Sequence, residues 1–219
     1  MEIRALNRTA FLVDGFNLYH SLMDASFHQG LEGAGTRWLD LRAFCGSFQH
    51  AIGGGARLAA VHYFSALAEH MEAVKPSTTA RHLAYIECLR ASGVEVVLSS
   101  FKQKWILCPH CKQKIVRHEE KATDVTIAAK LLELLARDEC DSIVLVTGDS
   151  DIAPAMRTAK ALFPAKRLYC CFPYNRQSHE LRGLAEKTFK ISRQRYGRHQ
   201  FPNPVISPGG RRISKPDAW

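Results

Sequence analysis

The 219-residue sequence has no apolar run that approaches the length of a transmembrane helix. The short apolar run Ala10–Val13 is also too brief for the hydrophobic region of a secretion signal, and an acid follows it. We therefore expect a cytoplasmic protein without a membrane partner. No internal repeat is present, and the 46% hydrophobic content suits one α/β domain with a substantial core.

Disulfide bonding is not indicated, because the seven cysteines are an odd number and no secretion signal accompanies them. The chain also lacks a second CxxC motif to complement Cys108 and Cys111, which have the spacing of half a zinc site. His118, His110, Cys88 or a second subunit of a homodimer would have to supply the remaining ligands. The CPHC run also matches a thiol-disulfide oxidoreductase motif, and a reduced turn without metal is the third interpretation.

Acidic residues are scarce relative to basic ones: 21 Asp and Glu stand against 30 Lys and Arg, for a net charge of +9. This excess favours a polyanionic partner, most simply nucleic acid. Residues 193–219 hold six basic residues, one acid and four prolines. We predict a domain over residues 1–192 and a basic, Pro-rich C-terminal tail over 193–219. The alternative is that this tail only aids solubility.

The most informative stretch of the chain begins with the apolar run Ile143–Val146, which is typical of a strand buried on both faces. A Thr-Gly turn follows, then Asp149 and Asp151, and Pro154 opens a helical pattern. Two acids therefore lie where a buried strand gives way to a helix, the edge at which α/β sheets bind ligands. The alternative is that both carboxylates only cap the next helix.

A second strand, Ala10–Val13, also ends in an acid before a helical pattern, at Asp14, with Asn17 one turn later. Asp124 opens another amphipathic helix, where an acid is also favoured by the helix dipole alone. Strand and helix patterns alternate about five times along the chain. This alternation predicts a three-layer α/β sandwich around a central, mainly parallel sheet of about five strands, with residues 102–120 as an irregular insertion that contains the CxxC pair.

Converging carboxylates suit a divalent cation such as Mg²⁺ or Mn²⁺ bound through oxygen ligands, and such a site suits phosphodiester hydrolysis. The candidates for this site are Asp14, Asp124, Asp149 and Asp151. Asn17 is placed to hold a water or a phosphate, and Thr147 and Ser150 offer hydroxyls.

Three stretches, FLVDGFNLYHSL, EEKATDVTIAAKLLEL and VLVTGDSDIAPAMRTAK, resemble the motifs of NYN-domain (LabA/DUF88-like) proteins of the PIN-like nuclease superfamily, and FPYNRQSHELRGLAEKTFKIS is also similar to that family. The resemblance covers roughly residues 8 to 192. It implies a PIN-like sheet and metal-dependent ribonuclease activity. It also places the metal and catalytic site at the residues that match the motifs, namely Asp14, Asn17, Asp124, Asp149 and Asp151. Thr147 and Ile152 depart from the residues common in the family, and neither departure touches the acids.

Four further residues are candidates for contact with RNA, which we expect as the substrate. Lys121 precedes Asp124 by one helical turn, Ser150 lies between two of the acids, and Arg176 and His179 follow the last predicted strand. Solvated surface positions are the alternative for Lys121 and His179. The leading function is a metal-dependent endoribonuclease, and the alternatives are a non-catalytic RNA-binding module and a Mg²⁺-dependent phosphatase.

Overall fold

A computed structural model describes residues 6–29, 35–217 and 219 as an α/β protein built on a seven-stranded sheet. The spatial order of the strands is β4-β3-β2-β1-β5-β6-β7, and every neighbouring pair is parallel except β3 with β4. The strands are β1 (Asn7–Asp14), β2 (Ala56–Ala66), β3 (Glu95–Leu107), β4 (Lys114–Lys121), β5 (Ser142–Val146), β6 (Arg167–Phe172) and β7 (Lys187–Lys190).

Helices cover both faces of the sheet, so the predicted three-layer α/β class is confirmed. They are α1 (Gly15–Phe27), α2 (Leu41–Gly46), α3 (Gln49–Ile52), α4 (Thr78–Ala91), α5 (Thr123–Ala136), α6 (Ala153–Leu162), α7 (His179–Leu184) and α8 (Arg193–Gly197). Short 3-10 turns lie at Glu69–Met71 and Ser150–Ile152. None of the helices in the described part of the chain has the length and apolar character needed to cross a membrane.

The expected count of about five strands is wrong, because two strands were not foreseen. Residues 102–120 are not irregular: the outer half of β3 and all of β4 pair as an antiparallel hairpin. Its large apolar side chains, such as Trp105 at 63% exposure, remain in solvent, so no buried face marks these strands in the sequence. The other unforeseen strand, β7, has only four residues, of which Phe189 alone is buried.

The side chains of the central strands alternate between two hydrophobic cores, one on each face. Phe11 and Val13 of β1 pack with α1, α2, α3, α4 and α8, whereas Leu12 packs with α5, α6 and α7. Strand β5 is buried at every residue. A strand enclosed on both faces leaves only its ends accessible, so the polar groups of β1 and β5 gather there.

Charged contacts at the N-terminal ends of β1 and β5 hold the two strands in register. The Arg8 guanidinium donates to both carboxylate oxygens of Asp141, at 2.8 and 3.1 Å, and the Arg8 backbone N–H adds a bond of 2.8 Å. These hydrogen bonds hold the pKa of Asp141 well below its usual range. Because Asp141 directly precedes β5, the contacts help to align the two strands whose far ends carry the acids.

Residues 193–219 contain α8 and a two-stranded sheet, β8 (Val205–Ile206) with β9 (Arg212–Ile213), and pack on the body of the protein. The Tyr196 hydroxyl lies 2.7 Å from the Ser21 hydroxyl, and both residues are buried. The ring of Trp219 contacts Trp38, with centroids 6.1 Å apart. The basic residues of this segment are therefore presented from an ordered surface.

Candidate active site

The neighbouring strands β1 and β5 end at the same edge of the sheet, and polar residues follow both. Val13 pairs with Val146 in parallel register, so the next residues, Asp14 and Thr147, lie side by side. The Thr147 hydroxyl donates to Asp14 Oδ2 at 2.9 Å and accepts the backbone N–H of Asp149 at 3.1 Å. Acids that follow two separate strands are thereby brought to one edge.

Asp14 is a buried carboxylate with a donor on each oxygen, since its Oδ1 accepts the backbone N–H of Asn17 at 3.0 Å and caps α1. Burial raises its pKa, the hydrogen bonds from Asn17 and Thr147 lower it, and the nearby charge of Asp149 raises it further. The side-chain oxygen of Asn17 accepts the backbone N–H of Gly148 at 3.0 Å. Asn17 therefore ties the loop after β5 to the start of α1.

Two glycines allow the close backbone approach that this arrangement requires. A Cβ on Gly15 would lie 2.5 Å from the carbonyl oxygen of Phe64, and one on Gly148 would lie 2.8 Å from the carbonyl group of Arg176. Both distances are too short for any side chain, so the turns after β1 and β5 need glycine for space.

Three carboxylates cluster beside Asp14. Asp124, Asp149 and Asp151 each place one oxygen within 4.8 Å of the others, and Asp124 does so from the first turn of α5. Burial, together with the charges of Asp149, Asp14 and Asp151, raises the pKa of Asp124 to about 6. Asp149 Oδ1 also accepts the backbone N–H of Asp151 at 3.0 Å, so capping and clustering occur together.

Asp14, Asp124 and Asp149 line a cleft of about 220 Å³, whereas Asp151 is exposed and lies outside its lining. Glu120, at the end of β4, lines this cleft and was missed by sequence reasoning. The pKa of Glu120 is raised above its usual value, because the effect of burial exceeds that of the hydrogen bond from the Thr123 hydroxyl, which lowers it. Glu120 belongs to the EEKATD stretch that resembles the family motif, but its place at the cleft depends on the hairpin, which was not predicted and which carries Glu120 to the sheet edge. The lining residues are Asp14, Phe16, Asn17, His20, Glu120, Ala122, Thr123, Asp124, Asp149 and Arg176.

Of the four residues expected to bind substrate, Arg176 lines the cleft and the other three lie outside its lining. Ser150 is exposed in the 3-10 turn after Asp149, and His179 is the exposed first residue of α7. Lys121 is also exposed, and its ammonium lies 2.8 Å from a carboxylate oxygen of Glu119.

Cys108 and Cys111 lie in the turn at the tip of the β3–β4 hairpin, where the Cys108 backbone N–H donates to the Gln113 carbonyl at 2.9 Å. The first cysteine does not begin a helix, so the placement differs from that of a thioredoxin-type site. His118 pairs with Gln103, roughly 13 Å along the hairpin from the tip at the usual rise per residue. Within the described residues, the three aspartates form the only group of three or more metal-ligating side chains. Zinc at the tip would therefore need ligands in addition to those that the described residues bring to the two cysteines.

Comparisons with known proteins place these features in a family context. The NYN domain family model matches residues 8–192. The fold is similar to the crystal structure of a protein of unknown function from Vibrio parahaemolyticus, with a TM-score of 0.56 and 18% sequence identity over 88% of this chain and 97% of that one. No curated protein matches the chain. At this identity the Vibrio structure supports the fold alone.

Proposed function

Because the chain belongs to the NYN domain family, we propose that it is a metal-dependent endoribonuclease that hydrolyses RNA phosphodiester bonds at the cleft beyond β1 and β5. The observation that carries this proposal is the meeting of Asp124, Asp149 and Asp151, with oxygens within 4.8 Å of one another beside the buried Asp14. Ionised carboxylates this close repel one another, and a bound cation offsets that repulsion.

The donor set fits Mg²⁺ or Mn²⁺, because every ligand it offers is a carboxylate oxygen. We assign Asp124, Asp149 and Asp151 as the ligands closest together, and Asp14 as a further acid that lines the cleft beside Asp124 and Asp149. When bound, the ion would lower the pKa of a water ligand and offset charge on the phosphate.

The surrounding residues hold this acidic set in place. Asp14 is fixed by donors on both oxygens, and Asn17 links its helix to the loop that carries Asp149. Asn17 also lines the cleft, and we assign its side-chain NH₂ to a water or a phosphate oxygen there. Such preorganised donors and acceptors need not rearrange when substrate arrives.

The net charge of +9 favours a nucleic acid as the substrate, and we infer RNA from the family of the chain. Arg176 brings positive charge into the cleft itself, where its Nη2 also donates to Asp24 at 3.3 Å. We assign Arg176 to a phosphate next to the cleaved bond. Ser150, Lys121 and His179 contact the RNA outside the cleft.

The test is to incubate the purified protein with end-labelled single-stranded RNA in chelator, then with Mg²⁺ or Mn²⁺ restored. We expect cleavage only with metal. RNA binding should be measured in the same samples, because binding without cleavage in any metal would favour the non-catalytic RNA-binding module. Cleavage that persists in chelator would contradict the metal site.

A further inference from the structure

A second cavity, of about 450 Å³, adjoins the catalytic cleft. The first turns of α1, the end of β2, the first half of α4 and Trp219 surround it. Phe16 lines both cavities, and it lies two residues after Asp14. The two cavities therefore share a wall at the first turn of α1.

The walls of the second cavity are largely apolar and aromatic. Tyr19, Met23, Met71 and Trp219 line it together with Phe16. Tyr19 is 44% exposed, so its ring is accessible from solvent. Aromatic and thioether surfaces of this kind suit a flat ring, and nucleobases stack on aromatic side chains without regard to sequence.

The charged residues that line the cavity are all basic, which narrows the chemistry of its occupant. Arg37, Lys75 and Arg81 line it, and none of its described lining residues is Asp or Glu. The Arg81 guanidinium donates hydrogen bonds of 3.2 Å to the Pro76 carbonyl and to the Thr78 hydroxyl. An apolar slot whose described lining residues include cations and no acids suits an aromatic ring attached to an anion, and disfavours a cationic ligand.

We propose that this cavity binds one nucleobase of the RNA, next to the bond that is cleaved, with the phosphate of that nucleotide on Lys75 and Arg81. Its place beside the cleaved bond rests on the proposed ribonuclease function, whereas the binding of a nucleotide does not.

Polar groups in the cavity can read the edge of the base. Ser65 and His82 line it, and burial lowers the pKa of His82 to about 4. His82 is therefore neutral at pH 7 and offers one donor and one acceptor. We expect the four bases to bind with different affinities.

The first test is calorimetric titration of the full chain with AMP, GMP, CMP and UMP in chelator, so that the aspartate site contributes no metal-dependent binding. At least one nucleotide should bind, and Lys75→Ala/Arg81→Ala should weaken its binding by about tenfold or more, since two charged hydrogen-bond partners of the phosphate are lost. The matched control is Arg57→Ala/Arg90→Ala, which removes two exposed charges from the far ends of β2 and α4. This control should bind as tightly as the wild type.

The second test fills the cavity with Ala68→Phe, since Ala68 lines it, and this variant should lose nucleotide binding. An RNA with one abasic nucleotide beside the cleaved bond should bind about tenfold more weakly than intact RNA, through lost stacking. Absence of binding by all four nucleotides, or equal binding by wild type and Lys75→Ala/Arg81→Ala, would overturn the inference even if RNA is cleaved. Nucleotide binding of the expected pattern without RNA cleavage would support the pocket and contradict the proposed function.

Discussion

Asp124→Asn should stabilise the metal-free protein at neutral pH, although it removes a carboxylate that we assign to metal binding. The carboxylate is half-buried, and its pKa is raised from 3.8 to about 6 by burial and by the charges of Asp149, Asp14 and Asp151. Asparagine has the same shape without the charge. The substitution should therefore relieve the repulsion that the ionised cluster imposes on the folded state.

The size of the effect follows from the two pKa values. At 1.36 kcal/mol per pH unit, the difference between 3.8 and about 6 corresponds to about 3 kcal/mol of unfavourable free energy in the ionised state. Solvent screening of a half-exposed group reduces this to about 1–2 kcal/mol. For a chain of this length, that gain raises the melting temperature by about 2–8 °C.

The sign of the pH dependence separates this effect from a general gain in stability. Because the folded-state pKa lies above the unfolded value, the folded state of the wild type holds the Asp124 proton more tightly. The penalty is therefore absent below about pH 3.8, grows as the pH rises, and is complete above about pH 6. Asp124→Asn should exceed the wild type in stability at pH 7.5 and lose that advantage at pH 4.

Thermal melts of both proteins in chelator and in Mn²⁺ are the assay. Metal should raise the melting temperature of the wild type more than that of Asp124→Asn, because a ligand stabilises only the state that binds it. Glu139→Gln, which removes an exposed acid beyond the other end of α5, should match the wild type in both conditions. Equal melting temperatures for Asp124→Asn and wild type at pH 7.5, with equal shifts in metal, would refute the electrostatic reasoning.

Three further outcomes are expected. Gly148→Ala should destabilise the protein and reduce cleavage, because its Cβ would lie 2.8 Å from the Arg176 carbonyl; unchanged denaturant unfolding would contradict this. Elemental analysis of protein prepared without chelator should find about one zinc per two chains, lost in Cys108→Ser, because one chain offers only two thiolates at the hairpin tip; zinc-free protein would reject that site. Arg198→Ala/Arg212→Ala should weaken RNA binding and make it less salt-dependent without disrupting the packed core; an unchanged slope of log affinity against log salt would exclude these two residues from the interface.

The parts of the fold that the sequence predicts are those that are buried. The runs Ala10–Val13 and Ile143–Val146 are apolar without a break because helices cover both faces of β1 and β5. The β3–β4 hairpin was not predicted because it buries little, and exposed strands need no alternation of apolar residues. The packing of residues 193–219 was equally hidden, since their buried residues, such as Tyr196 and Phe201, are scattered among prolines and bases.

The candidate site also has parts that the sequence predicts and parts that it does not. Asp14 and Asp149 could be placed at one edge from sequence, because neighbouring parallel strands end together. The approach of Asp124 follows from the packing of α5 against the sheet, which no spacing in the sequence reveals. The position of Glu120 depends on the β3–β4 hairpin. The second cavity depends on contacts between segments that are distant in sequence, including Trp219.

The most direct measurement of the central claim is the single-turnover rate of RNA cleavage by Asp149→Asn in saturating Mn²⁺, beside wild type and Glu139→Gln. Asparagine keeps the side-chain oxygen that accepts the Asp151 backbone N–H at 3.0 Å, so a purely capping role would survive the substitution. If the carboxylate cluster binds the metal that cleaves RNA, the cleavage rate of Asp149→Asn should be lower than that of the wild type by orders of magnitude, while Glu139→Gln retains the wild-type rate. A wild-type rate in Asp149→Asn would contradict the assignment of the active site.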